Sequence, residues 1–246
     1  LKAKIMGLDK LGNWDIMAPL PHAPERSYSW EGSQDLVIAS FSGFDRQFGE
    51  WARGMFERRQ VDGETRKGKV SGAFSSTWYN GQSAFVLQSF NGRLGDVYTQ
   101  AHELGHAIHD HLGTRAQKPS NLEISACIAE CGSIFGELLL TDHLLKEVKT
   151  AEERQSVIAA ELDGFGQAAF QVSARYFFEW SLYRAIEEGK SLDGDAISSL
   201  WVAARDRIYG DSVDWLPEMK WEWTMKLHYY IPNFRFYNYP YVFAQL

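Results

Sequence analysis

The chain has 246 residues, 45% of them hydrophobic, and a formal net charge of −7. That length and apolar content allow one sizeable core or two small lobes, and the acidic balance excludes the basic footprint of a nucleic-acid-binding protein. No apolar run approaches the ~20 residues needed to span a bilayer and no signal-peptide pattern is visible, so the expectation is a cytoplasmic protein with neither a nucleic-acid nor a membrane partner.

Residues 1–30 read as irregular, with Pro19, Pro21 and Pro24 close together. From about Gln34 to Gln60, Leu36, Val37, Phe41, Phe44, Phe48, Trp51 and Phe56 follow a helical pattern. Gly63 and the charged stretch Glu64–Lys69 break it. Two strand-like runs follow, Lys69–Tyr79 and Ser83–Phe90, and Asn80-Gly81 between them is a strong hairpin signal. After Gly92 and Gly95 a further helix is predicted, with Asp96 as N-cap and Gly113 as its C′ stop. Val97, Ala101, Leu104, Ile108 and Leu112 form its apolar face, and His102, His106 and His109 the adjoining stripe. Gly105 in mid-helix costs roughly 1 kcal/mol against alanine, which predicts that another backbone approaches closely there.

Residues 114–121 are a polar connector. The next predicted helix, about Leu122 to Leu145, carries Glu123, Glu130 and Glu137. A long helical pattern covers Ala151 to Gly189 with a break near Gly164-Phe165-Gly166, and another covers Asp195–Tyr209. The tail from Trp215 is crowded with Trp, Tyr and Phe. There is no internal repeat, low-complexity segment or clear linker. The predicted class is mainly α with a small β-hairpin or sheet (α+β), in one domain over 1–246. Residues 1–95 supply a helix and the small sheet, and residues 96–246 a helical core with a tyrosine-rich segment. The chain starts at Leu1 rather than Met and stops at Leu246 within aromatic sequence; the expectation is a piece of a longer polypeptide, truncated at both ends.

His102-Glu103-Leu104-Gly105-His106 reads His-Glu-x-x-His on a predicted helix, the signature of a zinc-dependent peptidase. Residues i and i+4 are about 40° apart around a helix, so both imidazoles reach one ion. Glu103 stands about 100° round from His102, near enough to hold a water without being a ligand. Catalytic zinc takes three protein ligands and keeps an open position, so a third ligand must come from elsewhere. The pattern His-Glu-x-x-His-x-x-Gly-x-x-His needs glycine at 109 and histidine at 112, where this chain has His109 and Leu112. The thermolysin-type spacing puts a glutamate 24 residues after the first histidine, where this chain has Ala126.

Glu130, 28 residues after His102, has the small or apolar helical neighbours Ala126, Cys127, Ser133 and Ile134. A carboxylate there is costly to bury without a cation. The alternative is a solvated acidic stripe, because Glu123, Glu130 and Glu137 recur every seven residues; spacing leaves both open. Cys127 and Cys131, four apart, read as two buried thiols of a reducing compartment in preference to a metal pair or disulfide. His109 reads as a supporting or packing histidine and His111 as solvated. Glu137 either orients a ligand histidine or faces solvent.

The run His102-Glu-Leu-Gly-His-Ala-Ile-His109, followed by Ile128-Ala-Glu130, resembles the thimet oligopeptidase family, most of all its bacterial oligoendopeptidase F branch. Gly68-Lys-Val-Ser-Gly-Ala-Phe74 is similar to the strand segment before that family's active-site helix, and Phe236-Tyr-Asn-Tyr-Pro-Tyr241 to its tyrosine-rich substrate loop. Asn233-Phe234-Arg235 lies where related sequences vary. The resemblance covers nearly the whole chain and implies a zincin-like catalytic lobe. It implies that His102, His106 and Glu130 hold one Zn2+ ion and that Glu103 is the general base. It implies His228 and Tyr241 as donors to the oxyanion, with Tyr237 and Tyr239 as further candidates. It also implies an oligopeptide substrate, a missing helical N-terminal lobe that closes a channel over the site, and further chain beyond the tyrosines.

The plainer reading of the tail is an aromatic core with buried hydroxyls. Peptide is expected to add a strand at Gly72–Ser76, with Gly72, Ala73 and Phe74 as substrate-binding residues; the plainer reading there is a hairpin packed on helices. The expected function is a zinc metalloendopeptidase that hydrolyses short oligopeptides. The alternatives are a dipeptidyl carboxypeptidase of the same family and an inactive catalytic-lobe fragment that binds peptide.

Overall fold

A computed structural model describes residues 1–21, 26–70, 72–232 and 235–246. Pro24, Ser71, Asn233 and Phe234, which enter the expectations above, lie outside the described residues. In chain order the helices are α1 (Lys2–Met6), α2 (Trp30–Phe44), α3 (Arg46–Glu57), α4 (Leu94–Ala116), α5 (Ala126–Glu147), α6 (Ala151–Gly166), α7 (Val172–Glu187), α8 (Gly194–Tyr209) and α9 (Pro240–Gln245). The strands are β1 (Leu11–Gly12), β2 (Val61–Asp62), β3 (Phe74–Trp78), β4 (Ser83–Leu87) and β5 (Val213–Asp214). The fold is mainly helical with small sheets, as expected. No described helix is long and apolar enough to cross a membrane. The chain divides into two compact units, Pro24–Ala160 and Leu1–Ala23 with Glu161–Leu246.

In the unit Pro24–Ala160, the helical pattern expected from about Gln34 to Gln60 is realised as two helices, α2 and α3. Asp45 is extended at φ −145°. Its N–H donates to Phe41 O at 3.0 Å, ending α2, and its carboxylate accepts from Gln47 N–H at 2.6 Å, starting α3. A capping aspartate thus competes with helix continuation. The expected hairpin forms, with β3 antiparallel to β4 from Phe74↔Leu87 to Trp78↔Ser83. Its turn is longer than an Asn-Gly pair, because Tyr79–Gly81 make a 3-10 turn and Gln82 takes φ 48°. β2 runs parallel to β4 on its other side, which leaves β3 at the edge.

α4 overruns its expected ends. Asp96 lies inside its first turn and accepts the N–H groups of Asn91 and Arg93 at 2.9 and 3.0 Å. Gly113 does not stop the helix: it lacks a left-handed φ, and α4 continues to Ala116. α5 starts after Ser125, whose side chain caps it, so Glu123 falls in the preceding loop. Val37, Phe41, Val97, Ala101, Leu104, Ile108, Leu140 and Leu144 form the shared core of α2, α4 and α5. Leu112, assigned to the apolar face, is 44% exposed.

At the crossing of α4 and α5 the two helix backbones meet directly. A Cβ built on Gly105 stands 2.3 Å from Gly132 O, and one on Gly136 stands 2.4 Å from Ala101 O. The close approach expected at Gly105 is therefore present, and only hydrogen in place of a side chain permits it. His111 differs from expectation. Its ring lies on Trp51 at 4.3 Å, and burial, with Arg115 and Arg58 beside it, pushes its pKa down to about 4.

In the unit formed by 1–23 and 161–246, the break expected near Gly164–Gly166 falls just beyond it. Gln167–Gln171 form a π-turn that leads into α7. Gly189, at φ 69°, follows the end of α7, and Asp193 caps α8 through Ala196 N–H at 2.8 Å. Ala174, Phe178, Trp201, Ala204, Tyr229 and Phe236 form the core. Trp201 Nε1 donates to Met219 O at 3.1 Å, and Trp223 Nε1 to Ser198 Oγ at 3.0 Å. The first residues, expected to be irregular, contain α1 and β1. β1 pairs in parallel with β5, and Lys2 bridges Asp163 at 2.7 Å.

Two outcomes follow from this packing. Gly105→Ala is expected to lose about 1–3 kcal/mol of stability through overpacking. Gly164→Ala, where an added Cβ meets nothing within 4 Å, is expected to gain about 0.4–1 kcal/mol. Denaturant unfolding checks both, and equal midpoints for the two variants would contradict the crossing. The His111 pKa is lowered on folding, so the unfolded chain binds the extra proton first. Its contribution is complete above the unfolded value of 6.5 and is lost as pH falls toward about 4. His111→Phe keeps a ring on Trp51 and is expected to flatten that loss across the window. Parallel stability–pH curves would rule this out.

Candidate metal centre

α4 presents His102 and His106 one turn apart on one face, their ring centroids 5.0 Å apart and their planes at 81°. α5, drawn in at the glycine crossing, brings Glu130 against them. Glu130 Oε2 lies 3.5 Å from His102 Nε2 and 3.6 Å from His106 Nε2. One ligand atom from each residue falls within a group spanning 4.8 Å. Donors about 2.0–2.1 Å from a tetrahedral ion stand roughly 3.3–3.5 Å apart, so the spacing fits a metal ion. Two imidazoles and a carboxylate are also a donor set that zinc-type ions accept.

Glu130 is 4% exposed, which removes the solvated-stripe reading. Ser133 Oγ, one turn on, donates to Glu130 Oε2 at 3.0 Å. Glu137, left open by the sequence, lies on the histidine side: its Oε1 is 2.5 Å from His102 Nδ1. That contact turns the other ring nitrogen toward Glu130, the arrangement by which a carboxylate orients a ligand histidine. Burial pushes the His102 pKa down, but the Glu137 hydrogen bond and charge, with Glu103 and Glu130, hold it above its ordinary value. Burial and His102 push His106 down to about 4, against a hydrogen bond to the Ala129 backbone. His106 is thus neutral at pH 7, the protonation state a metal requires.

Glu103 is 6% exposed. Burial raises its pKa to about 7; His102 opposes the rise, and the charges of Glu130 and Glu137 add to it. Among the described residues His109, Cys127 and Cys131 lie outside the metal-holding group. His109 packs against Gly132, with its Cβ 3.3 Å from the position a Cβ would take there. The cysteines are half-buried free thiols.

Of the substrate-binding candidates in this unit, Gly72 is exposed at φ 91°, Ala73 is half-buried and Phe74 is 48% exposed at the start of the edge strand. That strand is tied to α4 by Thr77 Oγ1, which donates to Asp110 Oδ2 at 2.8 Å. The hairpin turn is tied by Arg115, which donates to Gln82 O. Sequence reasoning missed Asp110, Ser133 and the partner glycines Gly132 and Gly136. Ser133 carries a faint signal, three residues after Glu130 on the same helix, whereas Thr77 and Asp110 are 33 residues apart with nothing in either segment to link them.

His228, Tyr237, Tyr239 and Tyr241 belong to the other unit. His228 sits in the 3-10 turn Leu227–Tyr229, where its Nδ1 accepts from Tyr237 N–H at 3.0 Å. The rings of Tyr237 and Tyr241 meet edge-on at 5.7 Å. Tyr239 precedes α9 and is 53% exposed. The segment thus brings His228, Tyr237 and Tyr241 into contact, with Tyr239 exposed beside them in sequence.

Residues 42–246 match the model of peptidase family M3. The chain is 30% identical over 243 residues to the group B oligopeptidase PepB of Streptococcus agalactiae, covering 99% of this chain and 39% of that protein. It is 31% identical over 247 residues to the plasmid-encoded oligoendopeptidase F of Lactococcus lactis subsp. cremoris, covering 99% of this chain and 40% of that one. It thus spans about two fifths of the length of the curated relatives it matches. Its fold is shared with a solved PZ peptidase A, with a TM-score of 0.81 at 20% identity over 99% of this chain and 43% of that one. The chain belongs to peptidase family M3.

Proposed function

We propose that this chain is catalytic sequence of a zinc metalloendopeptidase that hydrolyses short oligopeptides, with residues 1–246 forming one peptidase domain. The observation that carries the reading is the convergence of His102, His106 and Glu130 within 4.8 Å, with the buried carboxylate of Glu103 next in sequence to the first of them. His102 Nε2, His106 Nε2 and Glu130 would hold one Zn2+, which when bound supplies Lewis acidity that activates water and polarises a peptide carbonyl.

The chain's own groups do the rest. Glu137 fixes the ring of His102, and Ser133 supports the Glu130 oxygen. Glu103 takes the proton of the attacking water and returns a proton to the departing amine. Its pKa, raised to about 7 by burial, falls when a dication stands nearby, so Glu103 is ionised and able to accept that proton at neutral pH. The exposed edge of β3 pairs with extended peptide backbone through the Gly72–Phe74 segment. Backbone pairing tolerates many side chains, which suits an enzyme of short, varied peptides. His228 and Tyr241 donate to the oxyanion, and Tyr237 and Tyr239 contact substrate. The same reading gives the whole protein a helical N-terminal lobe and a cytoplasmic location.

Glu103→Gln is expected to keep one equivalent of zinc by elemental analysis while slowing cleavage of a fluorogenic, C-terminally amidated peptide by about 10²–10⁴-fold. Full zinc with unchanged cleavage would sink the general-base role, and a parent chain that cuts the peptide with a free C-terminus but not its amidated form would argue for carboxypeptidase action. Glu137→Gln is expected to weaken zinc binding about 10–100-fold in competition with a chelating dye. An unaltered affinity would leave Glu137 without its orienting role.

A further inference from the structure

His228 sits in a hydrogen-bonding arrangement that fixes where its proton lies. Phe236 takes φ 54°, a left-handed conformation that a bulky L-residue adopts only when its surroundings impose it. Here the surroundings do so. The Phe236 ring stacks on Tyr229 at 4.6 Å and 28° and packs near Tyr183 at 5.8 Å, and it is 8% exposed. Phe236 N–H donates to His228 O at 3.3 Å, and Phe236 O accepts from Asn238 N–H at 2.8 Å. Turned this way, the chain aims the next N–H, that of Tyr237, at His228 Nδ1, 3.0 Å away.

A backbone N–H donates and never accepts. Nδ1 must therefore offer a lone pair, and the ring proton belongs on Nε2. Protonating Nδ1 would set two hydrogens against each other. The charged groups acting on this imidazole are Arg175 from α7 and Lys226 from its own segment, and together with burial they push its pKa below the ordinary histidine value. Among the described residues no side chain occupies Nε2.

We infer that the Phe236 turn is a tautomer lock: the Tyr237 N–H holds His228 in the Nε2–H form, so that His228 offers a fixed hydrogen-bond donor to a peptide oxygen. Phe236 is then a positioning residue, acting through the backbone on a side chain it does not itself hydrogen-bond. The lock stands on this unit alone; only the identity of the acceptor oxygen rests on the peptidase reading.

Two-bond ¹H–¹⁵N correlation of the chain labelled at histidine tests it, with His228 assigned by its loss in His228→Gln. At pH 7 the expected pattern is an unprotonated Nδ1 and a protonated Nε2. Phe236→Tyr, which keeps the ring, is expected to preserve the pattern. Phe236→Val, whose branched side chain resists a left-handed φ, is expected to mix the tautomers. It should also lower kcat about tenfold at unchanged zinc content, short of the ~10²–10³ expected for deleting an oxyanion donor. If the valine variant does not fold, Phe236→Gly, which keeps the turn accessible but removes the stack, is expected to give a mixture as well. An Nδ1–H or doubly protonated His228 in the parent chain, or an unaltered pattern in the valine or glycine variant, overturns the lock. A parent chain with the expected pattern that cleaves no peptide supports the lock and counts against the peptidase reading instead.

Discussion

The candidate metal centre depends on how closely two helices can approach. Gly105 on α4 faces Gly132 O on α5, and Gly136 on α5 faces Ala101 O on α4, so each helix meets the other's backbone without a side chain between. At that distance Glu130, two residues before Gly132, reaches the two histidines that flank Gly105. A methyl group at either glycine would push α5 outward and move the carboxylate with it. The three mid-helix glycines cost helix propensity, and what they make possible is a cluster of side chains that no single helix can supply.

The closeness has an electrostatic consequence. Glu103, Glu130 and Glu137 gather around His102 and His106, and two of these carboxylates are nearly inaccessible to water. Burial raises the Glu103 pKa to about 7, and repulsion from the Glu130 and Glu137 charges, strong in a low-dielectric setting, adds to the rise. A dication among the histidines and Glu130 would relieve that repulsion. The same ion would turn a destabilising cluster into a reactive one, which couples metal binding to the stability of the α4–α5 pair.

Much of this was readable in the sequence, and the rest was not for definite reasons. His102, Glu103 and His106 are local: three residues on one helix carry their own geometry. Gly105 announced its close approach because a mid-helix glycine needs a reason. Glu130 could be singled out by its apolar neighbours but not decided, since burial of a carboxylate is a tertiary property; resemblance to a family, not spacing, favoured it. Glu137 and His111 were unreadable for the same reason, each depending on a partner far away in sequence, His102 and Trp51. Helix ends erred where a polar residue had two possible jobs. Asp96 satisfied N–H groups from inside the first turn, and Asp45 ended one helix while starting another. The left-handed Phe236 left no trace, because nothing in its identity departs from an ordinary aromatic core residue.

Anomalous diffraction at the zinc absorption edge, from crystals of the chain grown with one equivalent of zinc, addresses the metal centre most directly. The expected result is a single peak bonded to His102 Nε2, His106 Nε2 and Glu130, with Glu137 still on His102 Nδ1. A peak elsewhere, for instance at Cys127 and Cys131, or no peak at this site, would contradict the account.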